Sequence, residues 1–201
     1  MASEGGEKPE VFGVERVAVT TRSYDWIIPT LRLLAFFATL AAALVMALNK
    51  QKKTFVVATI GTTPIQVTLT AKFRHTPAFV FFVIVNGIAS LHNLLMLIVN
   101  LVGRKFDYKG LRPLVIAALD MMNVALVSGG VNAAAFMGQL GRDGNSHARW
   151  NKICDKFESY CDRGSGAMLA SFIGLGLMII VNIISIVKLR NHKLVNSSIV
   201  P

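Results

Sequence analysis

Charged residues are scarce in this sequence. Asp, Glu, Lys and Arg make up 16% of its 201 residues, against about 25% in a typical soluble chain. A globular domain of this size could not bury the 53% of residues that are hydrophobic, and intrinsic disorder requires low hydrophobicity. The composition therefore excludes disorder, disfavours a soluble enzyme and indicates a membrane protein.

Acidic residues are especially few, 11 against 21 Lys and Arg, which gives a net charge of +10. Such an excess is often the footprint of a nucleic-acid-binding protein. Here the basic residues lie almost entirely in short segments between long apolar runs, a placement typical of charge that flanks membrane spans. We therefore expect membrane lipid as the chain's environment and no nucleic acid as a partner.

Histidine and cysteine are also sparse, with four and two residues. The histidines lie in four different segments without metal-ligand spacing, and no nucleophile elbow or phosphate-binding glycine loop occurs. The sequence predicts no enzymatic activity, no cofactor and no metal site.

Long apolar runs are the main feature that is present. Four of them reach the roughly 20 residues needed to cross the hydrocarbon core, at 27–48, 77–102, 113–137 and 166–187. They predict an all-α membrane protein, a left-handed bundle of four transmembrane helices over residues 27–187 with two extracellular loops. Residues 1–26 and 188–201 are the predicted tails.

The orientation of this bundle depends on the cysteines, because Lys and Arg flank the two sides equally, ten on each. Cys154 and Cys161 share one loop, as a disulfide in an oxidising exterior would require. We therefore expect both tails in the cytosol. On an unbroken helix the two Cα atoms would be about 10 Å apart, beyond the roughly 7 Å that a disulfide tolerates. Either the helix breaks there, or the cysteines stay free or form intermolecular bridges.

Both predicted extracellular loops contain a structural signal. In the first, the β-branched run 54–60 and the alternating run 65–71 flank Gly61-Thr62-Thr63-Pro64, which predicts a β-hairpin. In the second, apolar residues at helical spacing predict a short amphipathic helix at the membrane surface. These residues are Trp150, Ile153, Phe157 and Tyr160.

Two charges lie inside the predicted spans, Arg32 in the first and Asp120 in the third. An unpaired charge in hydrocarbon costs several kcal/mol, and both residues lie about 8 to 14 Å from the same membrane surface. A bidentate ion pair is therefore predicted, serving as a structural pin because no chain of further acids or histidines extends from it. The alternative is that Arg32 extends to the headgroups while Asp120 bonds polar side chains of other helices.

Small residues four apart allow close helix packing in spans three and four. One set predicts packing within the bundle and the other an interface between protomers, and we expect uncharged span four to face outward; both could instead pack the monomer. The residues are Ala125, Gly129 and Ala133 in span three and Gly166, Ala170 and Gly174 in span four. Span two is polar at Asn86, Ser90, His92, Asn93 and Asn100, which indicates interhelical hydrogen bonds or, alternatively, a transport pathway.

The chain resembles the Casparian strip membrane domain protein family of land plants, in its CASP-like branch, and is similar to four-span MARVEL domain proteins. The resemblance covers residues 25 to 190. It depends on three elements: Leu31-Arg32-Leu33-Leu34-Ala35-Phe36, Asp120, and Trp150 to Phe157 followed by Tyr160-Cys161. Arg32 and Asp120 match the family's intramembrane Arg and Asp.

The resemblance implies a non-enzymatic plasma-membrane scaffold. Such proteins assemble with themselves and with related four-span proteins into membrane domains, and secreted or wall-modifying proteins are further candidate partners. The first loop, 52–73, lacks the short aromatic signature of the Casparian strip members, so a CASP-like scaffold outside that barrier is expected. The alternative function is a small transporter or channel that uses Arg32 and Asp120.

Overall fold

Four long helices dominate the computed structural model, which describes residues 11–102 and 112–197, with side chains at 26–101 and 113–190. The helices are α1 (Val11–Leu48), α2 (Pro77–Val102), α3 (Arg112–Asp143) and α4 (Glu158–Ser197). Each is long and apolar enough to cross a membrane, over Trp26–Leu48, Pro77–Leu101, Pro113–Asp143 and Glu158–Arg190. The predicted class of a helical, multi-pass membrane protein is confirmed.

The helices pack as a ring in which each contacts two neighbours. Helices α1 and α3 each pack against both α2 and α4, so α1 lies diagonally across the bundle from α3, and α2 from α4. Small side chains let the helices approach closely, and the fully buried core includes Ala35, Ala42, Ala89 and Ala134. Larger buried side chains such as Phe82 fill the remaining space.

The predicted hairpin is present between α1 and α2. Strand β1 (Lys50–Ile60) pairs antiparallel with β2 (Thr63–Lys72), with a register shift between Val56 and Ala58. Gly61 begins the turn with φ of 63°, a conformation that glycine adopts without the steric cost of a side chain. The strands are longer than the sequence signal because they continue down to the helix ends.

The second loop differs from its prediction. No separate short helix lies between α3 and α4, since residues 144–157 form turns and a bridge, and Tyr160 belongs to α4. Helix α3 extends six residues past the predicted end at 137, and α4 begins eight residues before 166. Residues 103–111 of the predicted connection at 103–112 and the outermost parts of both tails lie outside the described residues, whereas Arg112 begins α3.

Turn chemistry explains why the first half of this loop, residues 144–150, is not helical. Gly144, with φ of 70°, terminates α3 in the left-handed conformation that favours glycine. The Oδ1 atom of Asn145 accepts hydrogen bonds from the backbone N–H groups of His147 and Ala148, and Asn145 forms a bridge with Trp150. These local bonds offer the backbone an alternative to helix formation.

Candidate functional site

Arg32 and Asp120 lie in contact across the interior of the bundle. Nη1 and Nη2 of Arg32 donate to Oδ1 and Oδ2 of Asp120 at 2.9 and 2.5 Å, the parallel two-bond geometry in which a guanidinium binds a carboxylate most specifically. The residues are 3% and 4% exposed. Because α1 and α3 are diagonal neighbours, this contact connects two helices that the bundle's main packing does not join.

His92 joins the same cluster from α2. Its Nε2 lies 2.7 Å from Oδ1 of Asp120, so one carboxylate contacts side chains of two other helices. The sequence argument that no histidine extends from the Arg32–Asp120 pair is therefore wrong. The residue count along each helix could have revealed this contact. His92 lies nine residues before Leu101, and Asp120 lies seven residues after Pro113. Because α2 and α3 run in opposite directions, the two residues lie at similar depths in the bundle.

The other polar residues of α2 bond mainly to the backbone of their own helix. The Nδ2 atoms of Asn86 and Asn93 donate to the carbonyls of Phe82 and Ala89, one turn back. The hydroxyl of Ser90 donates to the carbonyl of Gly87, while Asn100 is exposed. This arrangement satisfies buried polar groups locally, as a membrane helix requires.

Cys154 and Cys161 are joined by a disulfide in the structure, with Cα atoms 5.7 Å apart. The short separation is possible because α4 begins at Glu158, between the two cysteines. The backbone N–H groups of Ile153 and Cys154 donate to the carbonyl of Gly141 near the end of α3. The disulfide region therefore connects the C-terminal end of α3 to the first turn of α4.

The small residues of α3 lie on its outer surface. Ala125 and Gly129 are exposed and Ala133 is half-buried. The atom nearest to a Cβ added at Gly129 would be Cε1 of Phe81, 4.0 Å away. This part of α3 is therefore open to a neighbouring helix.

The small residues of α4 turn inward along the helix. Gly166 is exposed, with no atom within 4 Å of an added Cβ, and Ala170 packs partly against the core. Gly174 is buried, and a Cβ there would lie 2.9 Å from Cγ2 of Thr39 on α1. The expectation that Gly174 of span four faces outward and Gly129 of span three faces inward is wrong. Gly174 is buried against α1, and Gly129 is exposed.

A cavity of about 1020 Å³ lies between the helix ends on the side of the two loops. Apolar side chains such as Met46, Phe79 and Met168 line it together with Arg142 and Glu158. Among the described residues, no group of three or more His, Cys, Asp or Glu side chains could hold a metal ion.

Comparison with known proteins identifies the family. Residues 21–177 match the Casparian strip membrane protein domain. The chain is 61% identical over 200 residues to CASP-like protein 1B2 of Populus trichocarpa, covering 100% of this chain and 99% of that protein. No solved structure matches the chain.

Two further plant relatives show the same similarity. CASP-like protein 1B1 of Populus trichocarpa is 65% identical over 164 residues, which cover 82% of this chain and 84% of the relative. CASP-like protein 1B2 of Arabidopsis thaliana is 59% identical over 170 residues, 85% and 86% of the two chains. With its four membrane-spanning helices, the chain belongs to the Casparian strip membrane protein domain family as a CASP-like, multi-pass membrane protein.

Proposed function

We propose that this protein is a non-enzymatic scaffold of the plasma membrane, with both termini in the cytosol. Copies of the chain assemble with one another and with related four-span proteins into membrane domains. Such domains organise local membrane, wall-modifying or other secreted partners. The outward small-residue surface of α3 is the observation that carries this proposal.

The interior of the bundle supports a rigid body. Arg32, Asp120 and His92 come from three helices and meet in one buried cluster, and breaking a buried ion pair by removing one partner is strongly destabilising. The Arg32–Asp120 contact therefore acts as a pin that fixes the helices relative to one another. A scaffold needs such a fixed shape, because its neighbours must always meet the same surface.

The outer surface of α3 supports assembly. Lipid provides no hydrophobic drive between helices, so close association depends on small residues and interhelical hydrogen bonds. Ala125 and Gly129 provide the close approach, and Asn132 lies on the same exposed side with its Nδ2 bonded to the carbonyl of Ser128. An exposed amide on a membrane helix still has hydrogen-bonding capacity to offer to a neighbouring helix.

Two adjacent glycines provide a matched test. Gly129→Leu adds bulk on the open surface, whereas Gly130→Leu adds it where a Cβ would lie 2.3 Å from Cγ2 of Val85. We expect Gly129→Leu to shift subunit counts in native-like lipid toward monomer while thermal stability stays near wild type. Gly130→Leu should instead lower stability. Monomeric wild type, or a Gly129→Leu variant that assembles normally, would contradict the proposal.

The contact between His92 and Asp120 favours a second candidate, a small transporter or channel that uses the intramembrane Arg32 and Asp120. Ionisable residues within membrane spans often mark ion pathways and proton relays. Flux of protons and small ions into liposomes measures this directly, with His92→Leu as the paired variant. A scaffold passes nothing above the background of empty liposomes, whereas flux that His92→Leu abolishes would favour the transporter.

A further inference from the structure

The β-hairpin is the least covered part of the described fold. Its two strands form a sheet with no third strand among the described residues, so the outer edge of each strand lacks backbone partners. Val56, Ile60 and Ile65 are 58%, 71% and 42% exposed. An isolated two-stranded hairpin is at best marginally stable in water, and unpaired edges are templates for pairing with another chain.

Residues Gln51 and Phe55 of β1 are held by the second loop and the first turn of α4. The rings of Phe55 and Phe157 pack edge to face with centroids 6.0 Å apart, and the backbone N–H of Tyr160 donates to Oε1 of Gln51. These contacts use side chains and pair neither strand edge. The hairpin is therefore fixed in position, and among the described residues no backbone hydrogen bond pairs either strand with a further segment.

Charge limits where another strand could pair. No charged residue occurs from Thr54 to Ala71, whereas the base carries Lys50, Lys52, Lys53 and Lys72. Natural proteins protect exposed edges with lysine, proline or bulges, and here Pro64 and the register shift after Val56 protect the part near the turn. The central part, around the opposed residues Thr54 and Thr68, has none of these devices.

We propose that β1 of one copy pairs with β2 of a neighbouring copy, so that the hairpins continue one antiparallel sheet. This inference rests on the proposed self-assembly and names one of its contacts. Copies in one membrane share an orientation, so every β1 runs away from the membrane and every β2 returns. Contacts between two β1 strands would therefore be parallel, whereas β1 against β2 extends the antiparallel ladder already present, the more stable pattern.

A second copy fits these edges better than a charged partner, because no strand residue from Thr54 to Ala71 is charged. The nearby Nζ of Lys156 approaches the ring of Phe55, a side chain on one face of the sheet. Thr54 and Thr68 lie opposite each other within one hairpin. Because neighbouring copies lie at the same depth in the membrane, Thr54 of one copy is level with Thr68 of the next, which sets the register of the pairing between copies. A contact between β1 and β2 uses two different surfaces. Such head-to-tail contacts close into rings or continue as open arrays, the form that a membrane domain requires.

Cysteine cross-linking tests this arrangement. Copies carrying Thr54→Cys and a first tag are co-expressed with copies carrying Thr68→Cys and a second tag, then oxidised with copper phenanthroline in native membranes. We expect dimers that contain both tags, and no dimers when either variant is expressed alone. Dimers between two Thr54→Cys copies would indicate parallel pairing of β1 strands and would overturn the proposal.

A charge placed on the edge provides a second readout. Val56→Lys lies in the central part of β1, whereas Ile60→Lys lies beside the turn, outside the paired region. Val56→Lys should lower the yield of mixed dimers at least fivefold and Ile60→Lys should leave it unchanged; equal yields in both variants would refute edge pairing. Subunit counting separates the two proposals: multimers without mixed dimers refute only the hairpin contact, whereas monomeric wild type refutes the scaffold.

Discussion

The hydroxyl of Ser171 on α4 donates a hydrogen bond of 2.8 Å to Oδ1 of Asn86 on α2, and both residues are fully buried. This bond joins one diagonal of the bundle, just as Arg32 and Asp120 join the other. Each pair of opposite helices is therefore connected by polar side chains. In a bundle without a hydrophobic drive between helices, such bonds help to select one arrangement.

We expect Ser171→Ala to destabilise the bundle by about 1 kcal/mol, the range seen for single interhelical hydrogen bonds in membranes. The cost arises because Oδ1 of Asn86 loses its partner in a buried position. Thermal unfolding in detergent measures it, with Ser128→Ala as a control at a half-buried serine on α3. Equal stability of Ser171→Ala and wild type would show that the diagonal bond contributes nothing.

The Arg32–Asp120 pair should show strong coupling. Asp120→Leu should lower the free energy of unfolding by about 3 to 5 kcal/mol, because it leaves the buried charge of Arg32 without its carboxylate. Arg32→Leu should lower it by less, because Asp120 keeps its contact with His92. The double variant should recover at least about 1 kcal/mol of the summed losses. Equilibrium unfolding of the four proteins gives the coupling energy, and strictly additive losses would argue against the pin.

The sequence predicts the helices of this fold well because each apolar run has the length that a bilayer demands. It also predicts that Arg32 and Asp120 lie at one depth, since depth follows from the residue count along a helix. Rotation of a helix about its axis does not follow from depth, which is why the sequence predicts the wrong sides for Gly129 and Gly174. The contact of His92 with Asp120 also requires the helix order around the bundle, which no single span encodes.

The second loop shows a different limit of sequence reasoning. The spacing of Trp150, Ile153 and Phe157 suits a helix, yet the side-chain bonds of Asn145 and the positive φ of Gly144 form a turn that ends in a bridge at Trp150. Trp150 and Ile153 are exposed whereas Phe157 and Tyr160 are buried, so the apolar spacing does not define one buried helix face, and the local turn chemistry determines the backbone. The break also places Cys154 outside α4, within reach of Cys161.

Gly174 should tolerate no bulk, because an added Cβ would lie 2.9 Å from Cγ2 of Thr39 and 3.4 Å from Cβ of Ala38. We expect Gly174→Leu to cost about 1 to 3 kcal/mol or more of stability through overpacking between α1 and α4. Gly166→Leu is the matched control, since nothing lies within 4 Å of that position. Thermal unfolding compares the two, and a Gly174→Leu variant as stable as Gly166→Leu would contradict this close packing.

The orientation of the chain in the membrane can be tested by cysteine labelling. The two sides carry equal numbers of Lys and Arg, so the charge count alone does not predict the orientation. With both termini in the cytosol, Thr63→Cys in the hairpin and Ser146→Cys in the second loop should react with an impermeant maleimide on intact cells. Lys109→Cys should react only after permeabilisation. Ser146 is exposed, whereas Gly144 is unsuitable because a side chain there would meet the carbonyl of Trp150 at 2.8 Å.

The orientation of the chain determines whether the disulfide between Cys154 and Cys161 can persist. Disulfides persist in oxidising compartments and are rare in the cytosol, so Cys154 and Cys161 favour an exterior second loop. If Lys109→Cys reacts on intact cells while Ser146→Cys does not, the loops are cytosolic. The two cysteines would then be reduced, and the connection between the ends of α3 and α4 would lose its covalent bond. The hairpins could still pair, but on the cytosolic surface, where they could not contact extracellular partners.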